Sequence, residues 1–286
     1  MLYALASLLV LTIVELSLRH IPNDYKNKNA YLTQHHSHIQ TLILGDSHTL
    51  FAIRPDLLPG TAFNAAHVAQ TLRYDRYLFD RFVSNMDSLK FVIVPVSYYS
   101  LVSDLEDQAP WRIKNYCLYY DYPAHPFDPF YRTELFGGQK FSGDIKALVL
   151  YLIRHKDFCE CNSLGFGLGH TLSSRPADWN DGSARVRLHT HHPDDSLVAS
   201  NRQNIIHIIN KCQQRGIEPI LITTPVIPSY LEAVDVAQYQ QVFSFLDSLS
   251  AAGVTWINLE TSPLFHDEDF YDPDHLNENG AVKLTH

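Results

Sequence analysis

"TLILGDSHTL", Thr41 to Leu50, opens as a short apolar strand and stops on Gly45-Asp46-Ser47-His48. Two readings compete. Gly and Asp interrupt strands and Ser caps a following helix, which describes an ordinary turn. Alternatively, Ser47 is a nucleophile held at the carboxyl edge of a sheet. The rest of the chain has to choose between them.

Downstream, the pattern alternates. Strands are expected at Thr41–Leu44, at a short segment ending on Ala62-Phe63-Asn64, and at Phe91–Val96, Pro219–Thr224 and Val254–Asn258. Helices are expected over Leu72–Asn85, Ser196–Arg215 and Ala233–Leu249, the second stopped by Gly216. The unbroken apolar run at Phe91–Val96 suits a sheet covered on both faces. Strands alternating with helices of this length predict an α/β fold, a parallel sheet with helices on both sides.

A chain of 286 residues can bury one substantial core. The expected organisation is a hydrophobic segment over 1–20, a connector over 21–40, and one domain over 41–286 carrying an insertion at 98–195. That insertion is too long for a simple crossover. Its aromatics ("WRIKNYCLYYDYPAHPFDPFYR") read either as packing within a lid or as a substrate platform. The glycines of "GFGLGH" do not follow a strand and open a helix, which argues against a nucleotide loop.

A net charge of −9 without any Lys/Arg run argues against nucleic acid as a partner. The histidines cluster at His35, His36 and His38 and again at His189, His191 and His192, but without a recognised ligand spacing. "LHTHHPDD" reads as a solvated polar loop, and neither a metal nor a cofactor is assigned. Four cysteines make no disulfide framework in a chain this long.

Leu2 to Leu18 is an apolar run at the lower limit for spanning a bilayer, interrupted by Glu15 near its end. A basic start and a small-x-small cleavage site, the marks of a signal peptide, are not evident. A membrane anchor is the expectation and a buried amphipathic helix the alternative. Arg19, Lys26 and Lys28 follow the run, so the positive-inside rule would keep that flank cytoplasmic.

A nucleophilic serine needs a base, and the base an orienting acid. "FYDPDHLNENGAVKLTH" supplies both after the last strand, with Asp272 and His275 three apart and Asn277 placed to cap a helix. Open α/β sheets carry their sites outside the carboxyl ends of the strands, where Ser47 and this loop both fall. The two are expected on adjacent connections of the sheet. Asp274, next to His275, reads as a solvated loop acid.

Gly45-Asp46-Ser47 after the first strand and Asp272-x-x-His275 after the last resemble the GDSL/SGNH hydrolase superfamily, over roughly Thr41 to the C-terminus. The resemblance implies a three-layer α/β/α flavodoxin-like fold, with Ser47 as nucleophile, His275 as general base and Asp272 as the acid orienting the imidazole. For the oxyanion it implies the backbone N–H of Ser47 and a donor after the second strand, where Ala69 stands in place of the family's Gly. The family's Asn after the third strand is absent. "VPVSYYS" puts Ser97 and Tyr98 there instead.

The resemblance extends to membrane-anchored proteins that add or remove acyl groups on bacterial cell-surface polysaccharides. It implies an acylated carbohydrate or another small ester as substrate, and a periplasmic or exterior location. A lipase or thioesterase with the same triad, or a non-catalytic polysaccharide-binding or scaffold protein, remains open, as does the oligomeric state.

Overall fold

The computed structural model describes residues 2–137, 141–155 and 158–286. Residues 138–140 and 156–157, inside the expected insertion, lie outside the described residues. The chain forms two compact units, Leu32–Asp104 with Cys161–His286, and Met1–Tyr31 with Leu105–Glu160. The segment 98–195 is therefore shared between them.

The larger unit holds five strands: β1 (Thr41–Ile43), β2 (Ala62–Asn64), β3 (Phe91–Pro95), β4 (Glu218–Thr223) and β5 (Thr255–Asn258). All pair in parallel, in the order β2-β1-β3-β4-β5. This is the flavodoxin-like order, with its switch point between β1 and β3. The α/β parallel sheet expected from the sequence is what forms. β1 is buried throughout, and its Leu42 and Ile43, with Leu44 just after it, sit in the core. β5 is an edge strand with Ile257 exposed.

Right-handed crossovers explain the layers. The step from β1 to β2 runs opposite to the later steps, so helix Ser47–Ala52 falls on one face. Helices Leu72–Phe82, Asp195–Gln214 and Val236–Ala251 fall on the other. The helix expected to reach Asn85 ends at Phe82 and continues as one 3-10 turn.

Ser47 and the Asp272–His275 turn do not leave adjacent strands, contrary to expectation, because β3 and β4 lie between β1 and β5. The long segment after β5 travels back across the carboxyl edge. It is braced on the β4 loop where Val226 N donates to Glu260 O (3.2 Å) and Ile227 N to Pro273 O (2.9 Å). Helix Glu278–Thr285 then packs against Ser47–Ala52. Asn277 caps it, accepting from Asn279 N and Gly280 N.

In the smaller unit, helix Leu2–His20 is long and apolar enough to cross a membrane by length and composition, and most of its apolar side chains are exposed. Glu15 is held at its inner end, paired with Arg19 (2.6 Å) and accepting from Glu134 N (3.1 Å) and Leu135 N (2.8 Å). Leu18, Ile21 and Leu135 form a small core there. Of the insertion's aromatics, Tyr116 and Tyr120 are buried around Tyr25 in edge-on contacts, whereas Trp111 and Phe127 are exposed. The two tyrosines are packing, not platform.

Candidate active site

Gly45 answers part of the question posed by Thr41–Leu50. Its φ is +114°, and a Cβ there would lie 2.0 Å from Pro95 Cγ, so no other residue fits. Its N–H donates to buried Asp75 Oδ1 (2.7 Å). Asp46 caps the next helix by accepting from His48 N (2.9 Å). Ser47 is the first residue of that helix and half-buried, while its neighbours Asp46 and His48 are buried.

The far end of the chain meets it there. Ser47 Oγ lies 2.7 Å from His275 Nε2, and His275 Nδ1 lies 2.8 and 3.0 Å from the two carboxylate oxygens of Asp272. The turn is built by Asp272 itself, whose Oδ1 accepts from Asp274 N (3.2 Å) and His275 N (2.9 Å). That side-chain turn fixes the imidazole over Ser47. Burial alone would lower the His275 pKa. Asp272 and Asp274 raise it above its ordinary value, against the opposing charge of His48.

Asp274 is not the solvated acid expected. It is 1% exposed and accepts from Arg185 Nε (2.7 Å) and His48 Nε2 (3.0 Å). Its Oδ1 lies 3.2 Å from His275 Nδ1 and its Oδ2 3.4 Å from His189 Nδ1. Burial would raise its pKa, but these cationic and imidazole neighbours hold it well below the carboxylate range. Arg185 Nη2 also comes within 2.9 Å of His275 Nδ1. With the Nδ1–H given to Asp272 this is a donor–donor contact, and the acceptor facing Nη2 is Asp272 Oδ2 at 3.6 Å.

His48 is the second residue the sequence reading passed over. Its ring lies face to face with that of His275 at 4.4 Å, and its Nδ1 is 3.1 Å from Asp46 Oδ1. Tyr99 donates its hydroxyl hydrogen to Asp46 Oδ2 (2.5 Å), and the Tyr99 hydroxyl oxygen lies 2.6 Å from His48 Nδ1. His189, placed with the polar loop by sequence, instead ends helix Gly182–His189, half-buried with its Nδ1 2.9 Å from Tyr230 OH. Burial, with help from nearby Arg185, His48 and His275 and against Asp274, lowers the His189 pKa to about 3. His170 stacks between Phe51 (3.6 Å) and Tyr271 (4.0 Å), edge-on to His275 (5.0 Å). For His48 the signal was visible, since it follows the serine directly. Arg185 and His170 carried none.

The oxyanion-hole candidates divide. Ser47 N–H sits at a helix N-terminus. Ala69 adopts a left-handed φ of +60°, in the turn where His67 N donates to Gly45 O (3.1 Å). That conformation is the one a glycine would favour. Tyr98 is corrected: its hydroxyl is buried, meets Thr190 Oγ1 (2.9 Å) and accepts from Asp235 N (3.0 Å), so it is committed elsewhere. Ser97 is buried, with its N–H on Ser100 Oγ (2.8 Å).

His48, Asp274 and His275 also offer ligand atoms within 4.8 Å of one another. The donor set suits a proton better than a metal, because Arg185 occupies Asp274 and the second nitrogen of His48 faces Asp46. What the arrangement can do is draw a proton from Ser47 Oγ to His275 Nε2 while Asp272 holds the other ring nitrogen.

A protein-family model matches residues 190–286, the part of the chain that carries Asp272 and His275. No curated protein matches the sequence. Among solved structures, the chain is similar to a protein assigned as an acylhydrolase from Bacteroides fragilis, at 12% identity over 89% of each chain with a TM-score of 0.42. It is also similar to a GDSL-like lipase from Bacteroides thetaiotaomicron, at 10% identity over 91% of this chain and 93% of that one, with a TM-score of 0.43.

Proposed function

We propose that this chain is a serine esterase or O-acyltransferase of the SGNH type, acting on acyl esters of cell-surface carbohydrate. The observation that carries the catalytic part is the relay Ser47 Oγ–His275 Nε2 (2.7 Å) and His275 Nδ1–Asp272 Oδ1 (2.8 Å), assembled from opposite ends of the chain. Ser47 Oγ attacks the ester carbonyl and its proton passes to Nε2. The Ser47 backbone N–H, at the positive end of its helix, faces the developing oxyanion. The leaving alkoxide takes the proton from His275, and an acyl-Ser47 remains. His275 then deprotonates water, completing hydrolysis, or a sugar hydroxyl, completing transfer.

The carbohydrate substrate rests on family analogy, as does a location outside the cytoplasm with Leu2–Leu18 as anchor. One observation favours the non-catalytic reading: no side-chain amide follows β3, and the Tyr98 hydroxyl is committed to Thr190 and Asp235. Loss of one oxyanion donor costs about 10²–10³ in rate, which slows a serine enzyme without abolishing it. A fluorophosphonate probe decides between the two. Covalent labelling of the wild type and none of Ser47→Ala supports catalysis. A folded wild type that does not label leaves the binding-protein reading.

A further inference from the structure

Both ring nitrogens of His48 point at carboxylates. Nδ1 is 3.1 Å from Asp46 Oδ1, and Nε2 is 3.0 Å from Asp274 Oδ2. An ionised carboxylate only accepts, and the Tyr99 hydroxyl, whose oxygen is 2.6 Å from Nδ1, gives its one hydrogen to Asp46 Oδ2 (2.5 Å). Both ring nitrogens therefore carry a hydrogen, and the ring is an imidazolium. Each carboxylate has independent partners that keep it ionised: Tyr99 OH and His48 N on Asp46, Arg185 on Asp274. The ring is 3% exposed, so it cannot exchange its partners for water. This charged ring lies 4.4 Å from the His275 ring and 19° from parallel to it.

We propose that His48 is a permanently charged positioning residue, stacked on His275 so that it fixes the plane of the base and keeps that base unprotonated at lower pH. Two acids, Asp272 and Asp274, both approach His275 Nδ1 and favour its protonated form. Unopposed, they would leave the imidazole already occupied when a substrate arrives. A fixed positive charge against its face works the other way. The remaining groups around the pair are accounted for. Tyr99 and His189 flank His48 from the β3 loop and from helix Gly182–His189, Arg185 of that helix faces Asp274, and His170 stands edge-on to His275. Burial lowers His48, but Asp46 and Asp274 bring its pKa up to about 10, in agreement with the geometry.

This deepens the catalytic reading, yet it is tested without turnover. The full chain labelled with ¹⁵N-histidine is followed by NMR between about pH 5 and 9. His48 should show two protonated ring nitrogens throughout. In His48→Gln, which removes the charge and keeps a polar side chain, the titration midpoint of His275 should rise by roughly one to three pH units. The acid limb of kcat/KM on a short aryl ester should move up with it. A neutral His48 near pH 7 overturns the proposal even if the variant does not fold. A folded variant whose His275 midpoint is unchanged or lowered overturns it too, since a purely structural His48 would reduce activity without moving that midpoint. Absence of esterase activity bears on the proposed function alone.

Discussion

Asp272 and Asp274 both approach the same nitrogen of His275, at 2.8 and 3.2 Å, from the first and third positions of one Asp-Pro-Asp-His turn. They differ in surroundings. Asp272 reaches Ser47's partner from a half-buried position and builds the turn, whereas Asp274 is buried among Arg185, His48 and His189.

That difference separates their mutants. Asp272→Asn should lower kcat on a short aryl ester by up to about 10⁴-fold, by analogy with serine proteases, with little change in Tm. Asp274→Asn strands a buried cation and should cost about 3–5 kcal/mol of stability as well as activity. Thermal melts beside kinetics tell them apart. An Asp274→Asn protein with wild-type Tm would contradict the buried network.

Stability should peak near pH 6.5. The folded pKa of His48 is about 10, above its ordinary 6.5, so its contribution is complete below 6.5 and is lost as pH rises toward 10. His170, lowered to about 2, and His189, lowered to about 3, both chiefly by burial, are neutral in the fold. The unfolded chain protonates them first, so stability falls as pH drops below 6.5. Burial raises Asp75 to about 7, and its protonated form offsets one of these two between pH 4 and 7. His275, whose pKa Asp272 and Asp274 also raise, adds to the alkaline loss, and each group contributes a slope of up to about 1.4 kcal/mol per pH unit. Chemical denaturation from pH 5 to 9 measures them, and a stability still rising at pH 9 would refute the buried imidazolium.

Gly45→Ala should fail to fold, or melt at least 10 °C lower by an order-of-magnitude estimate, because the added Cβ meets Pro95 Cγ at 2.0 Å and φ is +114°. A soluble variant with an unchanged melt would show that the β1 turn can move away from Pro95.

If helix Leu2–His20 is an anchor, the full chain should sediment with membranes and resist alkaline carbonate. Release by carbonate would assign the helix to a protein surface. Glu15 is already neutralised by Arg19 and two backbone N–H groups, so it is no obstacle to placing the apolar part in lipid.

By itself the sequence determined the local features. The strand ends, the glycine that closes β1, the cap at Asn277 and the Asp272–His275 turn all arise from residues close together in the chain. Short-range sterics and side-chain turns decide such features, so they are legible without coordinates. The alternation of strands and helices determined the α/β sheet for the same reason.

Only the tertiary structure decided what surrounds the candidate base. The return of the β5 loop across β4 and β3 brings Asp274 under His48. It also brings in Arg185 and His189 from a helix whose sequence shows no amphipathic or motif signal. Whether an acid is solvated or buried depends on segments distant in the chain, and so does the charge of the histidine it faces. Asp274 and Asp272 are two residues apart and chemically identical. The difference between them is the dielectric and the partners that folding places around each.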